Sequence, residues 1–200
     1  MKHISIILMT AIFLSSAAFN PIAIGSEEDK VITKTGHISF FSHTVAEDIT
    51  ANNYKVMSAL TLSTGAIVFS VPMQSFEFEK SLMQKHYNSP KFLDTKTYPK
   101  AKFKGKIDGK VPDLSKNGKY EVSITGDLTI HGVTKKVTEQ GVIEVSNGSI
   151  KATSKFTVVL ADYKIAFEKG KPSTNIAKEV ALTLDFTYKT ATQSRAELKG

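Results

Sequence analysis

The feature that most constrains this chain is a hydrophobic period of two residues. In "EVALTLDFTYK", Val180, Leu182, Leu184, Phe186 and Tyr188 fall on one face, and Glu179, Ala181, Thr183, Asp185 and Thr187 on the other. Side chains of a strand alternate between faces, so such a segment buries one side and wets the other. A helix would scatter the same apolar residues around its whole circumference. The pattern returns in "YEVSITGDLTI", where Tyr120, Val122, Ile124, Leu128 and Ile130 alternate with Glu121, Ser123, Thr125, Asp127 and Thr129. "AKFKGKI" sets Ala101, Phe103, Gly105 and Ile107 against Lys102, Lys104 and Lys106, and "SIKATSKFTVVL" groups Ile150, Ala152, Phe156, Val158 and Leu160.

These runs predict eight strands, over residues 31–42, 53–62, 66–73, 101–107, 119–130, 134–145, 149–160 and 179–189. Ser63-Thr64-Gly65, Lys116-Asn117-Gly118, His131-Gly132 and Asn147-Gly148 are short connections of the kind that join antiparallel neighbours. Asn147-Gly148-Ser149 also matches an N-glycosylation sequon, but the hairpin already explains Asn-Gly at this place. Eight antiparallel strands joined in order leave exposed edges unless the sheet closes on itself. The predicted fold is therefore all-β, an eight-stranded antiparallel β-barrel whose interior has room for side chains or one small ligand. Ala101, Gly105, Gly126, Gly141 and Ala152 stand among inward phenylalanines. Such small residues fit a tapering core or leave space, and the sequence keeps both alternatives open.

Two segments break the alternation. "SFEFEKSLMQKHYNS" carries Phe78, Leu82, Met83, His86 and Tyr87 at helical spacing, with Ser75 as a start signal, and predicts one short helix. Pro90 and Pro99 bracket the irregular link after it. Asp162 to Asn175, with Gly170 and Pro172, is expected to loop over one end. The first residues have the form of a secretory signal: Lys2, an apolar run from Ile4 to Phe13, then Ala23-Ile24-Gly25 before Ser26. The run is too short for a membrane span. Residues 1–25 are thus expected to be removed, 26–190 to form one domain, and the polar residues 191–200 to form a flexible tail.

The chain contains no cysteine, which excludes disulfides, thiol nucleophiles, zinc thiolates and a lipoprotein attachment site. An exported chain of this kind relies on its core. Its formal net charge of +7 is expected to serve solubility, with contact to an anionic membrane surface as the functional alternative and no nucleic-acid partner. Lys100, Lys102, Lys104 and Lys106 carry the same two alternatives, since all four project outward from one strand.

Catalytic signals are weak. There is no G-x-S-x-G elbow and no H-E-x-x-H, and Gly105 to Lys110 lacks the spacing and hydroxyl of a phosphate-binding loop. Glu47-Asp48 and Glu77/Glu79 read as solvated charge rather than as a paired acid and base. His37 and His43, six residues apart, are the only histidines near each other, which is not the close spacing of a metal site. No metal and no cofactor are expected. In "ITGDLTIHGVTKKV", Ile124, Leu128 and Ile130 point inward and Val133 to Val137 begins the next strand. His131-Gly132 is then a tight turn at the barrel rim, glycine supplying positive φ.

Three motifs in order resemble one family. "KFLDTKTYPKAKFKGKI" (residues 91–107) and the "ITGDLTIHGVTKKV" hairpin are similar to segments of YceI-like proteins, and the helix with Leu82 and His86 resembles the short helix that family carries between strands. The resemblance covers residues 31 to 189. Lys80-Ser81 and Gln84-Lys85-His86 replace the family's usual Arg-Asp pair ahead of the helix histidine. The resemblance implies a lipocalin-like barrel exported to the periplasm, holding a long-chain amphiphile such as a polyisoprenoid, an isoprenoid quinone or a fatty-acid derivative. It implies no shared catalytic residues, so no enzyme activity is expected. On this reading Phe40, Phe69, Phe103, Leu128, Ile130, Phe156, Leu160, Leu184 and Phe186 line the interior. Phe76, Phe78, Leu82, Met83 and Phe92, with His86, then close one end. The rivals are a small lipid-modifying enzyme using His86 or His131, and a ligand-free structural module of the envelope. Nothing in the chain fixes the oligomeric state, a dimer being one alternative.

Overall fold

In the computed structural model, residues 29–44, 47–165, 167–168, 171–172 and 177–189 are described. The expected signal (1–25) and tail (191–200) lie outside them. The strands are β1 (Lys30–His43), β2 (Asp48–Thr61), β3 (Ala66–Pro72), β4 (Glu77–Phe78), β5 (Lys100–Ile107), β6 (Gly118–Ile130), β7 (Val133–Ser146), β8 (Ser149–Val159), β9 (Phe167–Glu168), β10 (Lys171–Pro172) and β11 (Glu179–Lys189), with one helix, α1 (Ser81–Asn88).

All eight expected strands form, and they close. The hydrogen-bonded order runs β1-β11-β8-β7-β6-β5-β3-β2, and β2 pairs back onto β1, every pairing antiparallel. Closure removes the sheet edges that a row of half-apolar strands would otherwise expose. The alternation sets the register: Ile107, Ile124 and Glu139 form one inward row, while Lys104, Asp127 and Lys136 form an outward one. The four lysines of β5 stand exposed on the outer face, as the alternation requires.

Two of the tight hairpins take the geometry their sequences predict. His131 and Gly132 have φ of 51° and 75°, and Asn147 and Gly148 have 49° and 80°. Positive φ at both central residues matches the twist of the strands they join.

Three boundaries differ from expectation. β2 begins at Asp48, not at residue 53: residues 48–53 pair with β1 without interruption, from His43↔Asp48 to Ile38↔Asn53, but their inward positions include the small Ala51 and the polar Asn53, so no apolar run marks them. Asn53 is fully buried; its Nδ2 donates to the Pro72 carbonyl (2.9 Å) while its Oδ1 accepts the Lys55 N–H (2.9 Å). A buried amide with both ends satisfied fits an apolar wall at little cost.

α1 starts at Ser81 rather than near Ser75. Met73–Ser75 makes a single 3₁₀ turn, and Glu77–Phe78 adds to β2 as β4, opposite Ala51 and Asn52. The pairing of Phe78 takes precedence over the helical spacing of its side chain. The expected loop after β8 is partly regular: Leu160–Tyr163 forms a 3₁₀ turn ending on Lys164 in the left-handed region, and β9 and β10 make a two-residue ribbon. Tyr163 and Ile165 are buried, so this segment covers one end of the barrel, which the Met73–Pro99 segment covers from the opposite strands.

Candidate functional site

The barrel is partly hollow. An apolar cavity of about 180 Å³ runs along its axis, and all eight barrel strands contribute to its wall. At one end it is bounded by Leu60, Ile67, Ile107 and Ile143, and at the other by Val71, Phe92, Leu160 and Ile165. Two mechanisms divide filled from empty space. Gly105 and Gly126 face each other across β5 and β6, and the Phe103 ring lies over both: a Cβ at either would stand 2.6 Å from Phe103 Cζ. Those glycines accommodate a ring and create no void. Gly141 differs. A Cβ there would meet the Thr153 carbonyl at 3.2 Å and the Ile124 and Val122 methyls at 3.7 and 3.8 Å, so no ring covers it and it borders the cavity directly.

Aromatic rings organise the wall. Phe69 packs on Phe186 (centroids 4.8 Å) and Phe103 (5.9 Å). Phe40 meets Phe76 at 5.6 Å, Phe78 edge-on at 5.5 Å and Tyr87 at 6.0 Å. Tilted and edge contacts of this kind add to the area the rings bury.

Of the residues expected inside, Phe40, Phe69, Phe76, Phe92, Phe103, Leu128, Ile130, Phe156, Leu160, Leu184 and Phe186 line the cavity. Four do not. Leu82 is 57% exposed and His86 is also exposed, both on the solvent side of α1. Met83 is half-buried outside the lining, and Phe78 sits behind Phe40 and Tyr87. The helix begins six residues later than its start signal implied, and its one fully buried side chain is Tyr87.

The lining also holds polar groups that sequence reasoning did not assign. The Tyr87 hydroxyl is buried and has no hydrogen-bond partner among the described residues, and burial pushes its phenol well above the ordinary range. A buried polar group without a partner costs more than a satisfied one and calls for a reason. Glu139 faces the interior from β7 and takes no hydrogen bond or ion pair among the described residues; burial holds its carboxyl above its usual range. The signal for it was present, because Glu139 is in phase with Val137, Gly141, Ile143 and Val145. Tyr163 lies near enough for the Glu139 charge to act on it, and burial, Asp162 and Glu139 together raise its phenol.

The histidines have other employment. His131 Nδ1 donates to the Tyr163 carbonyl (3.2 Å), and its ring meets Tyr98 edge-on at 4.5 Å. His37 Nε2 donates to Asn52 Oδ1 (2.9 Å) and stacks on Tyr54, whereas His43 pairs with Asp48 at an exposed turn. His37 and His43 therefore do not converge. Among the described residues no three His, Asp or Glu side chains gather as metal ligands.

Comparison with known proteins follows the same lines. A model of the YceI-like domain matches residues 26–188. A UPF0312 protein of Shewanella denitrificans is 25% identical over 190 residues, 87% of this chain and 95% of that one. A UPF0312 protein of Pseudomonas putida is 46% identical over a shorter stretch of 54 residues, 27% of this chain and 25% of that one. Among solved structures, BcnA of Burkholderia cenocepacia superposes with a TM-score of 0.66 at 16% identity, over 76% of this chain and 95% of its own. A polyisoprenoid binding domain from Saccharophagus degradans gives 0.66 at 15% identity, over 81% and 98%. The closed barrel, its short helix and the match across residues 26–188 place this chain in the YceI-like family.

Proposed function

We propose that this protein binds a long-chain apolar amphiphile inside its barrel and carries or sequesters it in the periplasm, after export directed by residues 1–25. The observation that carries the reading is the apolar cavity along the barrel axis. Each Å² of apolar ligand surface removed from water there contributes ~25 cal/mol. A few polar groups then orient the polar end, and Tyr87 and Glu139 are positioned for it. A polyisoprenoid, an isoprenoid quinone and a fatty-acid derivative all have the required shape. The family likeness and the name of the Saccharophagus domain support the first.

Binding accounts for the site better than catalysis does. His131 is engaged by a backbone carbonyl and a tyrosine ring, and His86 faces solvent, so neither has an acid partner inside the cavity. The test is organic extraction of the full-length protein purified from its own cells, followed by mass spectrometry. The expected result is one class of long-chain lipid in near-stoichiometric amount. Protein that yields no lipid, and takes up no long-chain probe afterwards, overturns the reading.

A further inference from the structure

β7 is zipped to β6 along its whole length, from Ile130↔Val133 to Gly118↔Val145. β8 is zipped to β11 just as fully, from Ser149↔Lys189 to Val159↔Glu179. Between β7 and β8, however, pairing runs only from Ser146↔Ser149 to Gly141↔Ser154 and then stops. Both strands continue past that point, β7 through residues 140 to 133 and β8 through 155 to 159, without pairing to each other. At about 3.3 Å per residue the unpaired part of β7 is roughly 25 Å long.

The split is bounded at both ends. At its lower end, Ser154 Oγ donates to the Gln140 carbonyl (2.6 Å), which satisfies an acceptor just beyond the last ladder pair. At its upper end the 3₁₀ turn after β8 returns to the barrel rim, where His131 Nδ1 donates to the Tyr163 carbonyl. The result is a slot in the barrel wall, strapped above and zipped below.

The fork is flanked on both faces of the wall. The last two ladder pairs, Gly141↔Ser154 and Val142↔Thr153, with Leu184, border the inner cavity and also a depression on the outer surface, which Gln140 and Lys155 extend past the last pair. The outer depression is completed by polar side chains, among them Glu121, Gln140, Lys155, Thr183 and Asp185. No side chain projects from Gly141 at the fork, and Glu139 stands two residues further along the slot. Apolar space inside and a polar basin outside, joined through an unzipped seam, match the two halves of an amphiphile.

We propose that the split between β7 and β8 is the entrance by which a long-chain amphiphile slides sideways into the barrel, its chain passing inward first while its polar end crosses the basin outside. This rests on the carrier reading above. It deepens that reading by making ligand exchange a lateral opening of one seam, with the covered end of the barrel left in place.

The absence of cysteine makes the test specific. Gln140→Cys/Lys155→Cys places two thiols across the slot, directly beyond the last pair, on exposed outer positions. Glu144→Cys/Lys151→Cys does the same within the zipped half, where the two residues are ladder partners. Each pair is joined by a short bismaleimide, and uptake of dansyl-labelled undecanoic acid is followed by stopped-flow fluorescence. Closing the slot is expected to slow uptake about ten-fold or more, because opening becomes the limiting step, while joining Glu144→Cys to Lys151→Cys leaves the rate unchanged. An unchanged rate in the fully joined Gln140→Cys/Lys155→Cys protein overturns the proposal. Should that pair fail to join, a bulky polyethylene-glycol maleimide on Gln140→Cys alone makes the same distinction, with Glu144→Cys as control. If the unaltered protein takes up no probe at all, the carrier reading falls, and the entrance with it; uptake insensitive to closure removes the entrance alone.

Discussion

The hydroxyl of Tyr188 on β11 lies 2.6 Å from Ser58 Oγ on β2, and the two strands that carry them are not neighbours but flank β1 on either side. Both residues are buried, and Ser58 Oγ also donates to the Val68 carbonyl (3.0 Å). That fixes the direction of the pair: Tyr188 donates to Ser58, and Ser58 donates to the backbone. The chain thereby satisfies two buried hydroxyls in an apolar wall and ties three strands together near the end of the barrel where β11 finishes.

Removing that hydroxyl is expected to cost about 1 kcal/mol in Tyr188→Phe, the ordinary net worth of one hydrogen bond, since Ser58 keeps its carbonyl partner. The alkaline limb carries a sharper signature. Burial raises the Tyr188 phenol from 10.0 to about 12, the Ser58 bond opposing. A folded-state value above the unfolded one means that the contribution is complete below pH 10 and is lost as pH rises to about 12. Urea denaturation at a series of alkaline pH values should show a shallower decline for Tyr188→Phe than for the parent across that window. Parallel curves contradict the assignment.

Two inward glycines should respond in opposite ways. At Gly126 a Cβ would lie 2.5 Å from Gly105 Cα and 2.6 Å from the Lys104 carbonyl, both backbone atoms that cannot step aside. Gly126→Ala is expected to destabilise by about 3 kcal/mol or more, at the upper end of overpacking. At Gly141 the nearest atom is the Thr153 carbonyl at 3.2 Å, and the next are the Ile124 and Val122 methyls at ordinary contact, 3.7 and 3.8 Å. Gly141→Ala should cost about 1 kcal/mol or less. Gly141→Leu should take up less long-chain probe, because its side chain starts at the cavity wall and projects into the cavity. Chemical denaturation and probe titration read both.

Glu139 should make the protein less stable at neutral pH than an uncharged residue of the same shape. Burial raises its carboxyl above the ordinary 4.5, so the folded state holds the proton more tightly than the unfolded one. Its stabilising contribution is then complete below pH 4.5 and is lost as the pH rises. Glu139→Gln is expected to gain stability relative to the parent between pH 4.5 and pH 7, and to match it below. Equal stability at both ends of that range would place the carboxyl in solvent.

The His131-Gly132 turn should tolerate loss of its imidazole better than loss of its glycine. In Gly132→Ala a Cβ would stand 2.7 Å from Tyr98 Cε1 on a backbone with φ of 75°, and a residue held there costs about 1–3 kcal/mol. His131→Asn keeps a residue that accepts positive φ and loses the Nδ1 bond to Tyr163 and the edge contact with Tyr98, so the change should be about 1–2 kcal/mol. Thermal unfolding separates the two, and a larger loss at His131 would mean that its side chain is more than a strap.

The sequence was most informative where one physical rule acts alone. Period-2 alternation carried the eight strands, their inward faces and the lysine row of β5, because facing follows directly from strand geometry. It misled where two rules competed. Phe78, Leu82, Met83 and His86 share helical spacing, yet Phe78 is taken by β4 and Leu82 and His86 by solvent, since what buries a residue is the neighbour that arrives from elsewhere in the chain. Glu139 was passed over because a charged residue in an amphipathic strand is ordinarily read as outward, although its position in the alternation is inward.

The sequence by itself determined that this chain closes into an antiparallel barrel with apolar residues inside and tight turns at His131-Gly132 and Asn147-Gly148. These follow from local periodicity and backbone freedom. Only the tertiary structure decided that Gly105 and Gly126 are covered by a ring while Gly141 borders the cavity uncovered, that His131 is a strap, and that the ladder between β7 and β8 stops at Gly141 and Ser154. Each of those depends on which atoms meet across strands distant in the chain, and no spacing along a single strand encodes that.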